Sequence, residues 1–225
     1  MDVIILAGGL GTRFGSMTKI KPKPMIKIIR KPFITYIINK YQSHGINNFF
    51  ICLGYKGEVI KKYFINNKKY NAYHYKNPKN YLSDLKKNKI IYKNNKPNVF
   101  LIDTGLKTMT GGRLKRLENI FKNKSFMLTY GDGICDVDIN KLISFHKKNN
   151  KIATVTAVRP IPRFGALDIK DIKVINFSEK SKMKEGWING GFFVFSPKIF
   201  HYLKNDKTFL EREPLRELSK IKQLF

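Results

Sequence analysis

Residues 2–7, DVIILA, form an apolar run rich in β-branched side chains that stops at Gly8-Gly9. A run this short and this uniformly apolar, closed by glycines, reads as a strand buried on both faces. The pattern then repeats at FFICL (49–53), VFLID (99–103) and FMLTY (126–130), the last ending at Gly131-Asp132-Gly133. Helical patterns lie between these runs. After Pro32, the residues Phe33, Ile34, Ile37, Ile38 and Tyr41 recur at helical spacing, and Gly45 suits a C-terminal cap. Further helices are expected at 57–64, at 113–121 behind Gly111-Gly112, and at 138–148. Strand alternating with helix, with nearly continuous apolar strands, predicts an α/β fold with a mostly parallel central sheet flanked by helices. The second half changes character: IATVTAV (152–158), ALDI (166–169), KVINFS (173–178) and GFFVF (191–195) are closely spaced strands, with helices near 197–204 and 211–221. The whole reads as a single domain over 1–225 with a β-rich extension, without linker or internal repeat.

Composition enters where it excludes. Seventeen Phe, eleven Tyr and a 42% hydrophobic fraction furnish a core, so disorder is not the default. No apolar stretch approaches the ~18 residues of a membrane span. The opening run has no basic segment before it and meets a glycine loop at once, so it reads as a strand and not as a signal peptide. Cys52 and Cys135 show no metal-ligand spacing. A secreted disulfide scaffold has more cysteines in a shorter chain, and a reduced, cytoplasmic protein is expected.

Forty-four Lys and Arg against sixteen Asp and Glu give a net charge of +28, which suggests nucleic acid, an acidic membrane or polyphosphate as partners. The lysines are scattered, however, and accompanied by Asn, Ile, Tyr and Phe, the set that A/T-rich codons encode. The densest region, 66–96, carries nine Lys against one Asp with no RNA- or DNA-binding motif. It reads as solvated surface. No specific nucleic acid and no membrane are expected as partners, although a polyphosphate substrate could use the field.

Five motifs carry chemistry. The first is Leu6-Ala7-Gly8-Gly9-Leu10-Gly11-Thr12-Arg13. Glycines directly after a buried strand let backbone N–H groups approach a phosphate chain, and Arg13 adds a charged fork suited to phosphate oxygens. A dinucleotide fingerprint fails here, because Phe14 stands where a small residue belongs and no acidic residue follows ~20 positions on. A P-loop fails too, because Arg13 does not fill its Lys slot. The second motif is Lys21-Pro22-Lys23-Pro24-Met25, whose prolines stiffen the backbone and fix where Lys23 projects. The third is Asp103-Thr104-Gly105 followed by Thr110-Gly111-Gly112-Arg113. A double glycine opening a helix leaves room for an anion or the edge of a base, unless Thr110 simply caps the helix. The fourth is Tyr130-Gly131-Asp132-Gly133, a carboxylate at the end of a buried strand, where open α/β sheets bind ligands; Asp-Gly is also a common turn. The fifth is RFGALD (163–168) with Glu179-Lys180 and Asn189-Gly190-Gly191, each weak alone.

In this order and at these spacings the five resemble the nucleotidyltransferases that activate sugar 1-phosphates. The resemblance covers residues 1 to about 218. AGGLGTR and PKP mark the superfamily, while DTG, MTGGRLKR, RFGALD, INGGFFV and EREPL look specifically like its glucose-1-phosphate cytidylyltransferase branch. The resemblance implies a Rossmann-like nucleotide-diphospho-sugar transferase fold, with a nucleotide-binding half over 1–150 and a sugar-binding half over 151–225. It also implies an enzyme that makes CDP-glucose and pyrophosphate from CTP and glucose 1-phosphate. By analogy Leu6, Ala7, Gly8, Gly9, Leu10, Gly11 and Thr12 cradle CTP, and Gly131 lies along it. Arg13 and Lys23 act as catalytic cations on its phosphates, and Thr108, Thr110 and Arg113 read the cytosine. Tyr130, Gly165, Glu179, Lys180 and Asn189 hold the sugar phosphate, and Asp132 ligates Mg²⁺. The four histidines are taken as structural.

The family's Glu-Lys-Pro stands here as Glu179-Lys180-Ser181. Members continue past EREPL through a tryptophan-containing segment with an aspartate resembling a second metal ligand, and this sequence ends at Phe225 without it. The same chemistry with dTTP or UTP, or a catalytically impaired nucleotide-sugar-binding protein, stay open as alternatives. Members assemble as homo-oligomers, which makes the aromatic-rich stretch 66–98 a candidate interface.

Overall fold

A computed structural model of the protein describes residues 1–11, 21–90, 96–159, 166–178 and 186–225. The first half contains strands β1 (Val3–Leu6), β2 (Lys27–Ile28), β3 (Lys31–Pro32), β4 (Asn48–Leu53), β5 (Asn71–Tyr75), β6 (Asn98–Asp103) and β7 (Phe126–Tyr130). Helices α1 (Phe33–Gln42), α2 (Gly57–Ile65), α3 (Pro78–Lys86), α4 (Thr110–Arg116), α5 (Glu118–Phe121) and α6 (Ile139–Asn149) are interspersed. Strands β8 (Ala153–Val158), β9 (Ala166–Lys170), β10 (Lys173–Ser178) and β11 (Ile188–Phe195) follow, and α7 (Glu213–Lys220) comes last. Lys23–Met25 and Pro197–Tyr202 are short 3₁₀ turns.

Seven strands form one sheet in the order β5-β6-β4-β1-β7-β11-β8. The first five run parallel, and β11 returns antiparallel to both β7 and β8. The chain steps from β1 outward to β4, β5 and β6, then crosses back to place β7 on the other side of β1. The direction of winding therefore reverses between β1 and β7, and the crevice at the carboxyl ends of such a strand pair is where open α/β sheets take their ligands.

The continuous apolar runs are explained by burial on both faces. Ile4, Leu6, Phe50, Cys52, Phe100, Ile102, Phe126 and Leu128 pack into one core with Leu114 of α4, Leu117 between α4 and α5, Phe121 of α5 and Leu218 of α7. Their neighbours Val3, Ile5, Phe49, Ile51, Val99, Leu101 and Met127 pack into a second core on the opposite face, with Ile34, Ile37, Ile38 and Tyr41 of α1. Each large apolar side chain fully withdrawn from water contributes about 1.5–3 kcal/mol. Two such layers hold the sheet rigid enough to position loops at its edge.

The stretch 66–96 is more than solvated surface, which corrects the reading from lysine density. It supplies the edge strand β5 and the helix α3, started by Pro78 and by the Asn77 side chain, which accepts from Asn80 N at 3.1 Å. Tyr75 and Tyr81 are buried in the first core, where Tyr81 meets Phe50 and Phe100 with ring centroids 5.3 and 5.1 Å apart. Apolar residues are too sparse here to give a period: within α3 only Tyr81 is buried. The helix expected at 113–121 is also different, starting at Thr110 and breaking at Leu117 into α4 and α5. Among the described residues no helix is long and apolar enough to cross a membrane.

Candidate active site

The carboxyl ends of β1 and β7 open into a cavity of about 390 Å³. Its floor is Leu6 and Ala7 from the end of β1 with the glycine loop from Gly8 to Gly11, and Gly131 and Asp132 from the end of β7. Gly131 N donates to Leu6 O at 2.9 Å, which locks the two strand ends together. Thr108, Met109, Thr110 and Arg113 form one wall, Lys23 and Pro24 another, and Tyr130 and Phe209 complete it. Pro24 packs directly over Gly131, so the stiff PKP segment is seated on the loop that carries Asp132.

Arg113 shows how the glycine loop is held. Its side chain is buried, and Nη1 donates to Leu53 O at 2.8 Å and Thr104 Oγ1 at 2.7 Å, while Nη2 donates to Gly8 O at 2.9 Å. The Thr104 hydroxyl, from the DTG motif, itself donates to Leu53 O at 2.7 Å. One guanidinium thus ties the end of β4, the end of β6 and the loop after β1, and its planar fork suits that task better than a lysine ammonium. The arrangement explains Gly8 by close approach. A Cβ there would fall onto Arg113 Cζ and Nη1, and one on Gly54 would lie 2.6 Å from Nη1. Burial pulls the Arg113 pKa below its ordinary value and pushes the neighbouring Cys52 thiol up to about 12, so that thiol stays neutral and unreactive.

The double glycine at the start of α4 does not open an anion site. Residues 206–210 lie across it: Met109 N donates to Asp206 O at 2.8 Å and Gly112 N to Thr208 O at 3.1 Å, and a Cβ on Gly112 would lie 2.5 Å from Asp206 O. Nor does Thr110 cap the helix. Met109 occupies the cap position, and the Thr110 hydroxyl donates to Glu211 Oε2 at 2.6 Å while accepting from Leu210 N at 3.0 Å. Glu211 also accepts from the Tyr130 hydroxyl at 2.7 Å. Burial and the adjacent Glu211 carboxylate raise the Tyr130 pKa against the opposing pull of a hydrogen bond with Asn189, so the phenol stays protonated and donating. Glu211, Met109 and Phe209 belong to this site although no role was assigned to them from sequence. The EREPL motif was the available signal for Glu211, but a motif names a neighbourhood without saying which hydroxyls its carboxylate meets.

Lys23 Nζ and Asp132 Oδ2 stand 2.5 Å apart, with side-chain exposures of 25% and 35%. The expected catalytic cation and the expected metal ligand are therefore direct partners. Among the described residues no group of three or more His, Cys, Asp or Glu forms a metal cage. Mg²⁺ commonly takes only one or two protein carboxylates and fills its shell with substrate phosphates and water. A single accessible carboxylate in a phosphate-sized cavity fits an ion that arrives with its nucleotide.

The structure brings together most of the residues expected at the site: Leu6, Ala7, Gly8, Gly9, Leu10, Gly11, Lys23, Thr108, Thr110, Arg113, Tyr130, Gly131 and Asp132 line one cavity. Asn189 sits beside Tyr130 on β11, outside that lining, and its Oδ1 accepts from Gly191 N at 2.8 Å. Thr12, Arg13, Gly165, Glu179 and Lys180 lie outside the described residues.

Comparison with known proteins gives a consistent result. The nucleotidyl transferase family profile matches residues 2–224. Over 223 residues the chain is 46% identical to a glucose-1-phosphate cytidylyltransferase of Salmonella typhimurium, spanning 97% of this chain and 84% of that protein. It is 39% identical over 222 residues to a probable glucose-1-phosphate cytidylyltransferase of Bacillus subtilis, spanning 98% and 85%. Among solved structures, HddC from Yersinia pseudotuberculosis complexed with GMP-PN superposes with a TM-score of 0.63 at 29% identity, over 96% of this chain and 85% of that one. A UDP-glucose pyrophosphorylase complexed with UDP-glucose, at 20% identity, shares the fold with a TM-score of 0.65, over 100% of this chain and 89% of that one.

Proposed function

The chain belongs to the nucleotidyl transferase family, and we propose that it transfers the cytidylyl group of CTP to glucose 1-phosphate, giving CDP-glucose and pyrophosphate. The observation that carries the reading is the meeting of the glycine loop, Lys23 and Asp132 in one cavity at the β1–β7 switch point. The relatives at 46% and 39% identity are named for this reaction. Transfer of another nucleotide, or a purely binding role, is not favoured by them.

The reaction joins a phosphate oxygen of glucose 1-phosphate to the α-phosphorus of CTP as the bond from that phosphorus to the β-phosphate oxygen breaks and pyrophosphate leaves. Such a displacement is catalysed by positioning and by neutralising charge. The backbone from Gly8 to Gly11 faces the triphosphate, and Arg113 keeps that loop at its distance from the strand ends. Lys23 exchanges its Asp132 partner for the phosphates, which places a cation where charge accumulates on the leaving group. Enzymes of this family generally use a divalent metal; Asp132 would hold Mg²⁺ here, and the ion would supply charge neutralisation at the phosphates. Tyr130, Glu211 and Asn189 form the sugar side. Thr12 and Arg13 act on the nucleotide, and Gly165, Glu179 and Lys180 on the sugar phosphate. The functional unit is a homo-oligomer, which light scattering on the purified chain tests.

The machinery is tested by following pyrophosphate release with CTP, glucose 1-phosphate and Mg²⁺. Asp132→Asn lowers kcat by about 10²–10³ with the thermal unfolding midpoint unchanged. A near-normal rate in that variant removes Asp132 from the site and with it this assignment of the metal.

A further inference from the structure

A second cavity, of about 700 Å³, lies on the far side of the PKP segment from the first. Its size is within the ~300–1,000 Å³ typical of small-molecule sites. Met25 and Tyr63 contribute to its apolar floor, between the Lys23–Met25 turn and helix α2, and the turn packs against α1 and α2. Lys21, Lys27, Lys62 and Lys68 stand around it. Glu58 is its acidic residue, and the Lys61 ammonium on the same helix already engages that carboxylate at 2.5 Å. Among the described residues none of the four lysines has a carboxylate partner. Four cations with no carboxylate partner among the described residues, around a floor to which Met25 and Tyr63 contribute, favour an anion and add to the field of a chain carrying +28.

We propose that this cavity is a second, non-catalytic binding site for a nucleoside diphosphate or a molecule built on one, its base on the apolar floor and its phosphates among the lysines. The site stands on residues apart from the catalytic cavity, so it holds whatever reaction that cavity performs. It also shares a wall with it. Lys21 and Met25 face the second cavity while Lys23, between them in sequence, reaches the Asp132 carboxylate in the first. A ligand that clamps Lys21 and Met25 fixes the backbone from which Lys23 projects, the geometry expected of an effector site.

Equilibrium dialysis with radiolabelled CDP on the intact chain tests the proposal. Two equivalents bind per chain, and Lys62→Glu/Lys68→Glu reduces this to one while leaving the unfolding midpoint and the turnover measured without CDP unchanged. Lys27→Glu, on a separate segment, weakens the same equivalent by about tenfold or more, the effect of one lost charge-assisted contact of about 1.5–3 kcal/mol. One equivalent that vanishes in the double lysine variant still establishes the second cavity, and counts instead against cytidine binding in the first. A stoichiometry that is the same in the wild type and the double lysine variant overturns the proposal.

Discussion

Gly8 and Arg113 are 105 residues apart in sequence and in contact in the structure, and the glycine loop that lines the switch-point cavity is held by the pair. Gly8→Ala puts a methyl group where the guanidinium sits, so either the loop or Arg113 must move. Overpacking of this kind costs about 1–3 kcal/mol of stability. A displacement of the loop on the ångström scale costs turnover about a hundredfold. Urea unfolding and pyrophosphate release measure the two effects, and a variant with wild-type turnover shows that the loop does not need Arg113 to hold its position. The sequence marked Gly8 as a candidate for a ligand-facing loop but not as a seat for Arg113, because nothing local to either residue announces a contact that only the β1–β4–β6 arrangement creates. Glu211 was hidden in the same way. Its two hydrogen bonds, to Thr110 and Tyr130, join residues from α4 and β7 with the segment before α7.

At the level of elements, buried strands were legible where apolar side chains face both cores, as in FMLTY, which coincides with β7. Legibility failed where the buried residues are few and lysines many. In β5 and α3 the burial rests on Tyr75 and Tyr81, which a reading by lysine density passes over. Tyr81 packs edge-on against Phe50, Phe100 and Tyr75, so Tyr81→Ala empties an aromatic cluster and costs about 3–5 kcal/mol. Urea unfolding measures it, and a loss below about 0.5 kcal/mol returns the segment to the status of solvated surface. The double glycine of α4 gives no room to an anion for a complementary reason. A helix start with two glycines offers room, and whether an anion or another stretch of chain fills it is decided by residues 206–210, which sequence does not place.

For the molecule as a whole, the +28 charge accompanies cavities of about 390 and 700 Å³, within the range of small-molecule sites. Binding to duplex or single-stranded nucleic acid is therefore weak and is lost by ~200 mM salt, as expected for non-specific attraction. Tight binding that survives this salt, followed by fluorescence anisotropy, would place a nucleic-acid groove on the surface instead. Competition among nucleotides tests most directly which of them the switch-point cavity turns over. The purified chain is given glucose 1-phosphate, Mg²⁺ and equimolar CTP, UTP, dTTP, ATP and GTP, and the nucleotide sugars formed are identified by mass spectrometry. The account predicts CDP-glucose as the dominant product, with pyrophosphate in equal amount. A different nucleotide sugar in its place, or none from a folded chain, contradicts it.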